Sequence, residues 1–244
     1  MERKDFLKRG FTALGLMAVA PLTGSCKKDT ESTTPDTDSG SGTGSGTSTG
    51  SCTSTPSETE GPFPTKSPSS LVTNDIRSDR TGLPFTIKIT IQNKNNSCAA
   101  LAGALVDIWH CDADGNYSEY GGTQMQSTNY ASVHFLRGRQ TTDAAGLVTF
   151  TSIFPGWYSG RATHIHVHIY NASGKSLLVT QIAFPEDVTN TIYTTATNYY
   201  KKGKQDTTNA RDNIFSDSVS LELGTLTGSI AAGYVITHTI VVSA

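Results

Sequence analysis

Period-two alternation constrains this chain more than any other feature. In Thr163-His164-Ile165-His166-Val167-His168-Ile169-Tyr170, every second residue from His164 is a histidine until Tyr170, and β-branched aliphatic residues lie between them. A strand sends successive side chains to opposite faces. His164, His166 and His168 therefore share one face, and Ile165, Val167 and Ile169 share the other. Phe85–Gln92 alternates in the same way, with Phe85, Ile87, Ile89 and Ile91 on one side. Strand-like runs follow at Ala104–His110, Val148–Phe154, Leu177–Phe184, Ser218–Leu223 and Tyr234–Val242, divided by Gly-, Asn- and Asp-rich turns. Only Asp187–Lys201 and Asn209–Phe215 have helical composition. Many short strands with turn punctuation predict an all-β, two-sheet β-sandwich with short helices in the C-terminal connections.

The sandwich does not account for the whole chain of 244 residues. Arg3-Lys4 and Lys8-Arg9 precede an apolar run from Phe11 to Leu22, which is too short to span a bilayer and has the order of an export signal. Leu22-Thr23-Gly24-Ser25-Cys26 resembles a bacterial lipobox, with Cys26 as the lipidated residue; an ordinary signal-peptidase site is the alternative. Residues 26–55 are rich in Ser, Thr, Gly and Asp, too poor in apolar side chains to offset their ordering entropy, and read as a flexible tether. The expected organisation is an export signal over 1–25, a tether over 26–55 and one domain over 56–244. That makes an exported lipoprotein, periplasmic or on the cell surface, touching membrane through its lipid alone. A net charge of −2 without a basic patch argues against nucleic acid. In an oxidising compartment one disulfide can form among Cys52, Cys98 and Cys111. Cys98 and Cys111 sit at opposite ends of one strand, too far apart for the roughly 6 Å span, so Cys52 is the expected partner of one of them; the sequence leaves open which, and three free cysteines are the alternative.

The histidine face carries the chemistry. His164 and His166 stand about 7 Å apart along a strand, close enough to converge on one metal ion, and imidazole suits Zn, Cu, Fe and Ni alike. Tyr158 and Arg161 arrive just before them. A second segment, Trp109-His110-Cys111-Asp112-Ala113-Asp114-Gly115-Asn116-Tyr117, ends a strand in an Asp-Gly turn and delivers Tyr117 beyond it. His168, further along the strand, is expected at the sheet edge or behind the ligands. His110 reads as structural, and Tyr120 and Tyr130 as packed aromatics.

These pieces resemble the intradiol ring-cleavage dioxygenases, the catechol, protocatechuate and hydroxyquinol enzymes. The matching segments are Thr59-Glu60-Gly61-Pro62-Phe63, Trp109 to Tyr117, Thr142-Asp143 with Gly146 and Phe150, Pro155-Gly156-Trp157-Tyr158, Arg161-Ala162-Thr163-His164-Ile165-His166, and Val179-Thr180-Gln181. The resemblance implies a non-haem Fe(III) site with Tyr117, Tyr158, His164 and His166 as ligands. It also implies cleavage of a catechol-type aromatic by O2 to a cis,cis-muconate-type product. In that scheme Tyr158 is the base that leaves the metal, Arg161 stabilises negative charge on the substrate, and Gln181 holds Arg161 or the substrate. Only two residues separate Tyr158 from Arg161, shorter than in the soluble catechol and protocatechuate enzymes. This points to the exported branch of the family and a more open pocket.

Two other readings compete: a non-catalytic, transthyretin-like surface binding module, and a His-x-His zinc hydrolase. The tyrosines weigh against zinc, which prefers His, Cys and carboxylate ligands. The joint presence of Tyr117, Tyr158, Arg161, His164 and His166 weighs against a decayed site.

Overall fold

The computed structural model describes residues 52–244. The expected export signal, Cys26 and the tether up to residue 51 lie outside the described residues. Among the described residues, nine strands form two sheets, joined by one α-helix and several short 3-10 turns. The first sheet holds β1 (Pro84–Asn93), which pairs in parallel with β9 (Gly233–Val242); β9 also pairs with β8 (Thr225–Ser229). On its other side β1 meets β5 (Leu147–Ile153) and, at its end, the two-residue β2 (Ala99–Ala100). The second sheet runs β4 (Arg137–Thr141), β3 (Leu105–Trp109), β6 (His164–Tyr170), β7 (Ser176–Ala183), all antiparallel.

The predicted alternation sets the core. Phe85, Ile87, Ile89 and Ile91 of β1 are buried, as are Val106 and Ile108 of β3, Ile165, Val167 and Ile169 of β6, and Ile182 of β7. Burying each such side chain contributes about 1.5–3 kcal/mol. The other face of the second sheet is left for chemistry. Register aligns Arg137, Trp109, His166 and Gln181 in one row across its four strands, and Arg139, Asp107 and His168 in the next.

Four elements depart from the sequence reading. Strand β4 goes unanticipated because Arg-Gly-Arg-Gln-Thr carries no apolar alternation. Its arginines make ion pairs, and Gly138 lies so close to Ile76 that an added Cβ would stand 2.5 Å from a methyl. The strand expected at Ser218–Leu223 is a 3-10 turn, Val219–Leu221. There Ser218 Oγ donates to the Glu222 carboxylate, and β8 begins after Gly224. The helix expected at Asn209–Phe215 is only the 3-10 turn Asn209–Arg211. The Asp212 carboxylate accepts from the Ile214 and Ala162 N–H groups and so competes with helical pairing. The helix α1 (Glu186–Thr195) begins with acidic residues that suit its N-terminal dipole. It stops short of the expected Lys201, and Tyr200 turns inward to donate its hydroxyl to Phe154 O.

The end of the expected tether is docked. Cys52 is bonded to Cys98, which fixes the pairing left open by the sequence, while Cys111 is free and buried. Thr55 donates its N–H to Val241 O, and its Oγ accepts from Val241 N. From there the chain crosses the second sheet: Glu58 N donates to Val179 O, and Gln181 Nε2 donates to Thr59 O. No helix among the described residues is long and apolar enough to cross a membrane.

Candidate metal centre

Two histidines of β6 face the chain that crosses the sheet. His164 Nδ1 lies 2.6 Å from Ala162 O, which can only accept, so the proton is on Nδ1 and the Nε2 lone pair points outward. That Nε2 lies 3.1 Å from His166 Nε2 and 3.2 Å from the Tyr117 hydroxyl. Donor atoms about 3 Å apart have the spacing of neighbours sharing one cation at bond lengths near 2 Å. The His166 ring stacks flat on Trp109, with centroids 4.9 Å apart and planes within 1°. Gly61, at φ +69°, lies against its other side, where a Cβ would approach within 3.0 Å. A β-carbon at residue 61 would therefore tilt or displace the imidazole.

Tyr117 is delivered by the turn after β3. Asp112 Oδ1 accepts from Asp114 N (3.1 Å) and Asn116 N (2.9 Å), an Asx-type turn closed by Gly115 at φ +86°. A residue without any sequence signature then holds it. Gln126 Oε1 accepts from Tyr117 N at 2.7 Å, and its Nε2 donates to Tyr117 O at 2.8 Å, Tyr120 O at 3.0 Å and Thr128 O at 3.2 Å. One buried amide thus satisfies both peptide groups of Tyr117. Phe63 stacks on the tyrosine ring at 4.8 Å.

Tyr158 comes from the Pro155–Tyr158 segment, where Gly156 N donates to Asp112 O and ties the two tyrosine-bearing loops together. Its ring meets Tyr117 at 5.8 Å and His164 at 5.5 Å, both edge-on. Unlike Tyr117, it is partly exposed. Arg161 follows one tight turn later, braced on two sides: Nε donates to Asp212 Oδ2 at 2.8 Å and Nη2 to Gln181 Oε1 at 2.7 Å. Nη1 is left 3.5 Å from the Tyr158 hydroxyl. Asp212 is fully buried and is a second participant that sequence motifs missed; an aspartate in a polar loop is unremarkable until the fold brings it to Arg161.

The electrostatics follow from burial. His164 is pushed down to about 3 by burial and then by the Arg161 charge, and His166 is held well below the usual imidazole range by burial and by His164. Burial raises the Tyr117 phenol far above its ordinary range, with Tyr158 adding to it, and raises Tyr158 despite Arg161. Without a cation the centre is a set of neutral imidazoles and neutral phenols. Among the described residues no group of three His, Cys, Asp or Glu side chains is placed to hold a metal, so a metal here must use the phenols. That donor set fits a hard, highly charged cation, which favours anionic oxygen and accepts imidazole. Cys111, beside this cluster, is buried and its thiol is pushed far above the ordinary range, unsuited to supplying thiolate.

The remaining histidines stand apart. His168 is not at a sheet edge, since β6 lies between β3 and β7. Its Nδ1 is 3.0 Å from Glu60 Oε1 and its Nε2 2.8 Å from Ser176 Oγ. His110 is buried between Cys111 O and Ser152 Oγ, a structural role. Tyr120 donates to Pro64 O and forms the wall of a neighbouring cavity.

Comparison with known proteins bears on the family and the fold. Residues 60–213 match the family model described as Dioxygenase. A chlorocatechol 1,2-dioxygenase from Rhodococcus opacus is 30% identical over 134 aligned positions, which cover 47% of this chain and 49% of that protein. The chain thus spans about half the length of the curated relative it matches. Among solved structures, an intradiol ring-cleavage dioxygenase from Tetranychus urticae superposes with a TM-score of 0.70 at 27% identity, covering 79% of this chain and 95% of that one. The dioxygenase domain of a dioxygenase–carbohydrate-binding fusion from Streptomyces sp. SirexAA-E gives 0.57 at 26% identity, covering 78% and 99%.

Proposed function

Since the chain belongs to the intradiol ring-cleavage dioxygenases, we propose that it opens a catechol-type aromatic ring between its two hydroxyl-bearing carbons. Both atoms of one O2 enter a cis,cis-muconate-type product. The observation that carries this reading is the convergence of two phenols and two imidazoles beside a braced arginine. Tyr117, Tyr158, His164 and His166 would hold a non-haem ferric ion. When bound, that ion would supply a Lewis acid for the catechol oxygens and an electron acceptor for the ring.

The protein's own groups divide the remaining work. Tyr117 is buried on every side and clamped by Gln126, so it would be the fixed ligand, anionic only while a bound cation holds it so. Tyr158 is partly exposed and can swing away. Its oxygen is the group placed to receive a catechol proton as substrate arrives. Arg161 faces the same spot with one guanidinium nitrogen uncommitted. Asp212 and Gln181 fix its orientation, so it stabilises negative charge developing on the substrate oxygen without reorganising. Trp109 and Gly61 keep His166 in place and exclude water from its two faces.

The non-catalytic module gains no support from a site in which all five expected side chains meet. A zinc hydrolase would need a third ligand that is not a phenol. The lipid anchor at Cys26 remains part of this proposal; replacing it with serine should release the domain from membranes.

The testing experiment is purification from iron-supplied cells. We expect about one ferric ion per chain, a visible tyrosinate band, and O2 uptake with catechols giving a muconate. Tyr158→Phe and His166→Ala should each bleach the band and lower iron content. Full iron retention in both variants overturns the ligand assignment.

A further inference from the structure

A cavity of about 500 Å3 opens beside the centre without touching any of the four metal-binding side chains. Its walls include Pro62, Phe63, Lys66, Tyr120, Gly121 and Met125. The volume lies within the range of small-molecule sites, which are mostly apolar with a few placed polar groups. Met125 is 68% exposed at its rim, an unusual position for a large apolar side chain with nothing to cover.

A row of aromatic rings runs between the centre and the cavity wall. Tyr158 and Phe63 meet edge-on at 6.3 Å, and Phe63 and Tyr120 edge-on at 5.4 Å. Arg161 stands at the first end of this row and Lys66 at the second. Lys66 is exposed, yet its Nζ is steered: it donates to Glu119 O at 2.7 Å and lies 4.7 Å over the Tyr120 ring. The carboxylate among the lining residues, Glu119, is itself buried and already engaged. It accepts from Lys66 N at 2.8 Å and His134 Nδ1 at 2.7 Å and stands 3.8 Å from buried Arg137. The accessible charge of the cavity is therefore the Lys66 ammonium, which is in no ion pair among the described residues.

We infer that this cavity is a subsite for the distal, carboxylate-bearing aromatic arm of an extended substrate, with Phe63, Tyr120 and Met125 taking the apolar body and Lys66 the carboxylate. The inference rests on the ring-cleavage reading for one thing only, that the other end of the same molecule is the catechol at Tyr158 and Arg161. Aryl faces stack favourably on tyrosine and phenylalanine at these separations. A carboxylate at an ammonium in a half-enclosed apolar pocket gains more than it would in open water. Unsubstituted catechol would leave the cavity empty.

The experiment separates this inference from turnover by using iron-free protein and a probe that has no vicinal hydroxyls, 4-methoxycinnamate, with its neutral amide as control. Titration calorimetry should show one probe per chain, with the carboxylate binding about tenfold more tightly than the amide. Lys66→Gln should erase that preference. Met125→Glu, a change at an exposed position, should weaken the carboxylate more than the amide, since both lose an apolar contact and only the carboxylate meets a like charge. No binding, equal binding of carboxylate and amide, or an unchanged preference in Lys66→Gln overturns the subsite. In iron-loaded protein, the ratio of kcat/KM for a carboxylate-bearing extended catechol over catechol itself should fall in Lys66→Gln. A chain that binds the probe but consumes no O2 with any catechol would keep the subsite and refute the ring-cleavage reading. A chain that cleaves catechol but ignores the probe would do the reverse.

Discussion

Gln126 offers a sharp test of how the centre is held. Its side chain is buried and contributes four hydrogen bonds, two of them to the Tyr117 peptide groups. Truncation to alanine leaves the Tyr117 N–H and C=O buried without partners, at about 1–3 kcal/mol for each. The Tyr120 and Thr128 carbonyls are only part-buried and can recruit water. A net loss of about 3 kcal/mol follows, which lowers the midpoint of a domain this size by about 6–12 °C. Gln126→Glu is the informative partner. Its carboxylate still accepts from Tyr117 N, but it then meets three carbonyl oxygens that the amide nitrogen used to satisfy. It must carry a proton to donate to any of them. Its folded pKa is thereby raised, so the variant should be most stable at low pH and lose stability as pH rises through that value. Scanning calorimetry of the iron-free chain at pH 5 and pH 8 reads both effects, and the tyrosinate band of the iron-loaded chain should weaken in parallel. A Gln126→Ala variant within 1 °C of the parent, or a Gln126→Glu variant that loses no more stability between the two pH values than the parent does, would refute the clamp.

Other expectations follow from the same geometry. Arg161→Ala should keep iron and colour while turnover falls by about 10²–10³-fold, the usual loss for a charge-stabilising donor, as read by O2 uptake. Asp212→Asn should also retain iron but reduce kcat, because Arg161 loses its buried carboxylate brace. Cys98→Ser should cost about 2–4 kcal/mol by thermal unfolding and increase exchange of the Glu58 amide, since the crossing segment loses its covalent anchor. Glu222 is buried beside Glu58, Asp217 and Asp212 and is raised to about 7 from 4.5. A raised acid favours the protonated folded form, so stability should fall as pH climbs from about 4.5 to about 7. Glu222→Gln should flatten that slope.

How much of this was legible in the sequence depends on which force each element answers to. The β1 and β6 alternations were plain because one face of each is buried, and a one-residue slip would invert it. The proximity of Tyr117, His164 and His166 was anticipated through motif order, and the Arg161–Gln181 contact through the same resemblance. What stayed hidden is polar and long-range. Strand β4 is written in arginines whose partners, Asp107 and Glu119, lie elsewhere in the chain. Gln126 and Asp212 act through hydrogen bonds to backbone groups that no local pattern specifies. Residues 52–55 share the Ser- and Thr-rich composition of the sequence before them, and it is the Cys98 and Val241 contacts that bring them into the fold.

The bond between Thr55 and Val241 spans 186 residues, and β9 lies in parallel beside β1. Parallel pairing across such a separation is intrinsically slow. The segment that presses Gly61 onto His166 is tethered at one end by this contact and further along by Val179 and Gln181. Fraying at the far end of β9 would therefore loosen the start of a cover that lies over an imidazole of the other sheet, and a change in one sheet would be felt at the face of its neighbour.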